Sequence, residues 1–326
     1  MYDRKLKRDS RKAYRLWLLI LAAMLAIFFF GSRANSPQEA ATPEPDTGAQ
    51  SDQTVAIPDT GAQSDQTAAI PSADLNSPEF PVSDIWQTGV LYGQNFGAEN
   101  VQYAVVDNMS LFEGDIMVPT DYMPAQLGVG VPSAMGGRNF RWPDGIVPYQ
   151  ISPNLPDQKR IADAIAHWEA NTAIRFVLRD GSNAARYPNY IEFVPSVVCS
   201  SYVGMMGGRQ PINLATGCDT GSTIHEIGHA VGLWHEQSRA DRDQYVTIHY
   251  ENVMPGTEHN FDQHITDGND LGAYDFSSIM HYPRWAFSKN GRDTIVPIDG
   301  QEIGQRTHLS EGDIAAVAAM YPDIHR

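Results

Sequence analysis

The stretch HEIGHAVGLWH, residues 225–235, constrains this chain more than any other. His225 and His229 are four residues apart, which on an α-helix puts both imidazoles on one face, about one turn apart. TIHEIGHAVGLWHE therefore reads as a helix that carries two metal ligands and then stops. Ser222 or Thr223 stands where a cap is needed at its start, and Ile224, Ile227, Ala230, Val231 and Leu233 supply apolar packing. Gly232 is the residue type that ends a helix at positive φ, and a turn there brings His235 back towards the first two histidines. Three neutral imidazoles leave a fourth position open, the arrangement of a catalytic zinc. Imidazole-only ligation favours Zn2+ over Mg2+ or Ca2+, which take oxygen. Glu226, beside the first ligand, is expected to face a water on the metal. It acts there as general base when that water attacks a carbonyl, and then as acid towards the leaving amine. A surface helix with unrelated histidines would need both the glycine and the third histidine to fall in place by chance.

Charge and cysteine content narrow the setting. The formal net charge is -16, yet eight of the 23 Lys/Arg residues lie in the first 33 positions. The remainder is strongly acidic and repels nucleic-acid phosphates, which excludes DNA and RNA as partners. Cys199 and Cys218 are too few for a disulfide scaffold or an all-cysteine zinc site. In an exported chain they read as one structural bridge, the alternative being two unrelated buried thiols. Export follows from residues 1–33, in which a basic stretch precedes the uncharged run LWLLILAAMLAIFFF, Leu16 to Phe30. That run is long for a signal-peptide core and short for a spanning helix. It is either cleaved or retained as an N-terminal signal-anchor, the sole membrane element. The basic side stays in the cytoplasm, and the rest of the chain is extracytoplasmic, secreted or anchored.

The chain divides into four segments. After 1–33 comes a stalk, 34–84, in which PDTGAQSDQTVAI (45–57) is repeated almost unchanged at 58–70. Such a composition is too poor in apolar residues to build a core and reads as disordered. Residues 34–137 contain no Lys, Arg or His, but aromatic and β-branched residues return after about position 85. The stretch 85–138 is therefore an appendage to the region that follows. From 139 to 326 the texture is globular. RWPDGIVPYQI, AIRFVL and YIEFV read as strands. Ile161, Ile165 and Trp168 mark one face of a helix with Pro156 at its N-terminal end, and His167 on it reads as a surface or packing residue. Strand, helix, strand, strand and then the histidine helix is an α+β layout.

HEIGHAVGLWHEQSRADRD resembles the astacin family of metzincin zinc endopeptidases. Glu236 after the third histidine, with Arg239, Asp241, Arg242 and Asp243, separates it from other metzincins. The resemblance extends to RWPDGIVPY (141–149), to YIEFVPS and CSSYVGMMGGRQPINLATGC before the helix, to YDFSSIMHY (274–282) and to IGQRTHLSEGDIAAVAAMY (303–321). It implies a two-subdomain protease with a twisted, mostly parallel sheet and helices in its N-terminal half. The zinc helix ends at the cleft, and the C-terminal half is irregular, with a Met-turn and a closing helix. By the same resemblance His225, His229 and His235 bind one zinc per chain and Glu226 is general base and acid. Met280 lies beneath the metal in a packing role. Tyr282 is a resting zinc ligand that moves to stabilise the oxyanion. Glu236 fixes the new N-terminus, while His281 and Arg242 are structural. Substrates are proteins or peptides lying extended along an edge strand near 189–194, and Arg306 falls where the primed-side pocket is lined. Cys199 and Cys218 match one of the family's two usual disulfides; Ala173 stands where the other would begin.

LFEGDIM, residues 111–117, is similar to the FxGD element of astacin pro-segments, in which an aspartate occupies the zinc position of the catalytic water. Asp115, with Phe112 and Gly114, is then the latency switch of a zymogen, and 85–138 its pro-segment. A cysteine switch is excluded, because no cysteine precedes Cys199. An activating protease would cut between Asp115 and Trp142, with Arg138 one candidate position. Three other readings remain open: a non-astacin metzincin, a catalytically inactive zinc-binding interaction protein, and a zinc-storing or structural metal protein. The last has no use for an open fourth position and a general base.

Overall fold

The β-branched and aromatic runs of the sequence assemble into one nine-stranded sheet in the computed structural model, which describes residues 77–91, 99–118, 140–263 and 270–324. The apolar run at 16–30, the tandem repeat at 45–70 and Arg138 lie outside the described residues. Among the described residues no helix is long and apolar enough to cross a membrane.

The strands are β1 (Trp86–Leu91), β2 (Glu99–Val106), β3 (Met109–Phe112), β4 (Ile116–Met117), β5 (Ile146–Ile151), β6 (Arg175–Leu178), β7 (Tyr190–Pro195), β8 (Ser200–Ser201) and β9 (Arg209–Leu214). Their order across the sheet is β1-β2-β3-β4-β8-β9-β7-β5-β6. β6, β5, β7 and β9 run parallel to their neighbours, and β8 is antiparallel to β9. The first four strands form an antiparallel meander that joins the rest through one parallel contact, Ile116 to Ser201. Asp107 and Asn108, both at positive φ, make the two-residue turn between β2 and β3.

Two expectations need correction here. β7 lies between β9 and β5, so residues 190–195 are interior and not an edge. The alternation that marked this strand reports that Ile191 and Phe193 are buried; it carries no information about sheet position. The flank of β8 away from β9 is taken by β4. Residues 77–84, assigned to the stalk from composition, contribute packed side chains: Phe80 is 4% exposed.

Among the described residues three α-helices complete the α+β arrangement: α1 (Lys159–Asn171), α2 (Thr220–Val231) and α3 (Glu311–Met320). α1 buries the expected face, Ile161, Ala164, Ile165 and Trp168, but starts three residues after Pro156. Trp168 Nε1 donates to Ile224 O at 3.0 Å, and Arg160 donates to the carbonyls of Ala215 and Cys218, so α1 braces both α2 and the loop before it. The Cys199–Cys218 disulfide closes that loop. The cap of α2 is Asp219, whose carboxylate accepts from Ser222 N at 2.9 Å; Ser222 and Thr223, the expected caps, are already in the first turn. Gly232 ends the helix at φ 125°, as its position implied.

The C-terminal half is mostly irregular, with a two-stranded ribbon of β10 (Val246–Ile248) and β11 (Ile295–Pro297). α3 is held by a capping box of Ser310 and Asp313. Asp313 also accepts from Ser278 Oγ (2.6 Å) and Ile279 N (2.9 Å), tying α3 to the segment that carries Met280 and Tyr282. The end of α2 is clamped from both ends of the fold. Trp142 Nε1 donates to Ala230 O at 2.7 Å and Tyr321 Oη to Val231 O at 2.8 Å.

The start of α2 passes so close to the Arg306 backbone that a Cβ on Gly221 would lie 1.7 Å from the Arg306 carbonyl oxygen. Gly221→Ala is expected to lower the unfolding free energy by about 1–3 kcal/mol through overpacking. Urea denaturation measures this; an unchanged midpoint would mean that the helix start and the Arg306 loop are free to separate.

Candidate metal centre

α2 places His225 and His229 on one face, and the turn at Gly232 returns His235 beside them. All three imidazoles are buried and converge on one carboxylate, that of Asp115. Asp115 Oδ2 lies 3.2 Å from His225 Nε2, and Oδ1 lies 3.5 Å from His229 Nε2 and 3.2 Å from His235 Nε2. One ligand atom from each residue falls within 4.8 Å of all the others.

Each histidine is oriented through its other nitrogen. Nδ1 of His225 donates to Ile279 O at 2.8 Å and Nδ1 of His229 to Leu233 O at 2.9 Å. Nδ1 of His235 donates to the Glu113 carboxylate at 2.8 Å. These acceptors fix the proton on Nδ1 and leave an Nε2 lone pair on every ring directed at Asp115. Lone pairs and a carboxylate thus face one another in a buried space. Asp115 Oδ1 and the Nε2 atoms of His229 and His235 have no hydrogen-bond partner there. Such a set of acceptors is satisfied by a cation, and three imidazoles with one carboxylate suit Zn2+.

The electrostatics agree. Burial pushes His225 down to about 3 and lowers His229, so both rings are neutral. Burial also opposes a charge on His235, but Asp115 and Glu113 outweigh it and raise the ring to about 9. The carboxylates that favour a proton on that Nε2 favour a metal cation there for the same reason. Burial by itself would raise the Asp115 carboxyl, but the charge of His235 and the close imidazoles outweigh it and hold the group well below the usual carboxylate range.

Glu226 follows His225 on α2, fully buried, and neither carboxylate oxygen has a hydrogen-bond partner. Burial raises its pKa well above the ordinary value, and the charges of Asp115 and Glu79 add to the effect against the opposing Arg306. Met280 lies under the same turn of helix; a Cβ on Gly228 would come within 2.7 Å of its Sδ. Tyr282 is buried with its ring centroid 4.7 Å from that of His235. Its hydroxyl donates to Glu113 O at 2.5 Å. Glu236 accepts from Asp275 N at 2.7 Å with Arg239 nearby at 3.6 Å. His281 is bound between Tyr274 Oη and Tyr282 O, and Arg242 donates to Gln237 O, both as structural parts. His167 accepts from Leu309 N at 2.9 Å, a packing contact.

Two site residues were missed from sequence. Glu113 accepts from His235 and, at 2.7 Å, from Ser238 Oγ; it stood inside the LFEGDIM motif with no chemistry assigned to it. Glu79 accepts from Ser222 Oγ (2.5 Å) and pairs with Arg306 Nε (3.2 Å). Its surroundings, LNSPEFPVSD, look like stalk, and composition carries no sign of the contact.

Three histidines and one carboxylate buried around the end of an HExxH helix form a group that can hold a metal ion, the arrangement of a metal-dependent hydrolase. The sequence model of the Astacin peptidase family matches residues 135–322, and the chain belongs to that family. It is 44% identical over 188 residues to "Zinc metalloproteinase nas-13" of Caenorhabditis elegans, covering 56% of this chain and 41% of that protein. It is 42% identical over 205 residues to human "Tolloid-like protein 1", covering 59% of this chain and 20% of the relative. The match thus spans well under half the length of these relatives. Among solved structures, the hatching enzyme zinc-protease "High choriolytic enzyme 1" of Oryzias latipes is similar at a TM-score of 0.50 and 38% identity, covering 56% of this chain and 92% of that one.

Removing the Tyr282 hydroxyl leaves the buried Glu113 carbonyl without its donor. Tyr282→Phe is expected to speed amide exchange at 113–117 by roughly tenfold, the net worth of one buried hydrogen bond. Unchanged exchange, read by mass spectrometry, would show that this bond does not hold the turn.

Proposed function

We propose that the chain is a secreted or membrane-tethered zinc endopeptidase, made as a zymogen in which Asp115 blocks the metal. The observation that carries this reading is the convergence of Asp115 on the three histidines next to an unpartnered, buried Glu226. On this reading 85–138, extended to the packed residues from 77, is the pro-segment, and 139–326 is the catalytic domain.

His225, His229 and His235 would hold one zinc, which supplies Lewis acidity that polarises the scissile carbonyl and makes water nucleophilic at neutral pH. Glu226 takes the proton of the attacking water and delivers it to the leaving amine. Its burial without protein donors suits a group that must gain and lose a proton in one cycle. Tyr282 is held away by the Glu113 carbonyl in the latent chain. Once released, its hydroxyl can donate to the developing oxyanion. Met280 supports α2 from below. Glu236 is the acceptor proposed for the new N-terminus after cleavage between Asp115 and Trp142. Protein substrates would lie along β8, the strand on which β4 rests in the latent chain.

Latency also has a conformational basis. Glu113 and Gly114 are both at positive φ (46° and 79°), and a Cβ on Gly114 would lie 2.9 Å from the Phe287 ring. The turn that aims Asp115 therefore requires glycine at 114.

Activated wild-type chain is expected to cleave casein in a chelator-sensitive manner, and Glu226→Ala to lose at least about a hundredfold in kcat. An activated wild type with no chelator-sensitive cleavage would defeat the protease reading. Arg306 already faces a carboxylate, which favours substrates with an acidic residue after the scissile bond. Arg306→Ala is expected to abolish that preference in a peptide-library profile, and an unchanged profile contradicts it.

A further inference from the structure

Residues 77–80 touch the catalytic region at a place that the LFEGDIM motif does not include. The Glu79 carboxylate lies between two donors from separate elements, Ser222 Oγ in the first turn of α2 and Arg306 Nε ahead of α3. Both partners of the ion pair are largely withdrawn from solvent, at 14% and 12% side-chain exposure. Arg306 is pre-set for the contact. Its Nη1 donates to the carbonyls of Ile279 (2.8 Å), His281 (3.0 Å) and Gln305 (3.1 Å), which fixes the plane of the guanidinium.

The flanking residues are seated as well. Cys199 N donates to Pro78 O at 3.1 Å, at the disulfide. The Phe80 ring meets Tyr282, Trp285 and Phe287 edge-on, with centroids 5.3–5.5 Å apart. The segment also touches the turn that carries Asp115: a Cβ on Gly114 would lie 3.2 Å from the Glu79 carbonyl oxygen. An exposed stalk residue would show none of these contacts.

We infer that Glu79 is a second latency anchor, which fills with the chain's own carboxylate the Arg306–Ser222 pocket that otherwise receives an acidic substrate side chain. This rests on the latent-protease reading above. The pro-segment is then bivalent: Asp115 occupies the metal position and Glu79 the adjoining pocket. Rupture of either contact leaves the other to hold the segment nearby at high effective concentration. A cut between Asp115 and Trp142 is therefore not sufficient for activity, because the severed segment must also leave two sites.

Four full-length chains test this: wild type, Glu79→Gln, Asp115→Ala and the double variant. Glu79→Gln keeps the shape of the side chain and removes its charge. Amide exchange at 77–84 is expected to rise by about tenfold or more in Glu79→Gln, the scale for loss of a buried charged partner, while 111–117 remain protected. Asp115→Ala should cleave casein slowly and the double variant at least about tenfold faster, as release of a second tether implies. Unchanged exchange at 77–84, or measurable cleavage by Asp115→Ala that the double variant does not exceed, overturns the inference. Faster exchange at 77–84 with no chelator-sensitive cleavage in any variant or in activated wild type instead keeps Glu79 as an anchor and rejects the protease reading.

Discussion

The structure depends on one electrostatic fact: three imidazoles and a carboxylate are buried against one another, and Asp115 Oδ1, His229 Nε2 and His235 Nε2 have no hydrogen-bond partner. Without a cation this arrangement is strongly unfavourable. With one it would tie together α2, the turn at Gly232 and the distant residue Asp115. The surrounding fold keeps the imidazoles fixed for it. Ile279, Leu233 and Glu113 hold their Nδ1 atoms, while Trp142 and Tyr321 hold the last turn of α2.

The same region shows how the strand proposed to bind substrate is covered in the intact chain. β4 pairs with β8 through Ile116 and Ser201, extending the sheet at the flank where a polypeptide can add. Phe112, Ile116 and Val118 pack with Val203 and Trp234, so the antiparallel meander is attached by an apolar seat as well as by Asp115. In the proposed zymogen these contacts make latency a property of an extended surface, with the metal ligand at its centre.

Most of the centre was legible in the sequence because its constraints are local. The spacing of His225 and His229 follows from helix geometry, and Gly232 follows from the backbone conformation that a sharp helix end demands. The disulfide partners were the only cysteines available. What could not be read was long-range. Alternation in YIEFV marked a strand but not its place inside the sheet. Asp219 was overlooked as a cap because the start of α2 was placed a few residues late. Glu113 and Glu79 act through contacts to residues more than a hundred positions away, and no local pattern distinguishes them from solvated acids. The acidic, cation-free composition of 34–137 masked the difference between a stalk and a segment complementary to Arg306.

The central claim is that Asp115 shares the metal with the three histidines in the intact chain. Visible absorption of the cobalt-substituted full-length protein tests it most directly, because the d–d bands of Co2+ respond to the identity and number of its ligands. The account predicts that Asp115→Ala changes the position and intensity of these bands while the metal stays bound. Identical spectra for wild type and Asp115→Ala would contradict it, by showing that the carboxylate is not in the coordination shell.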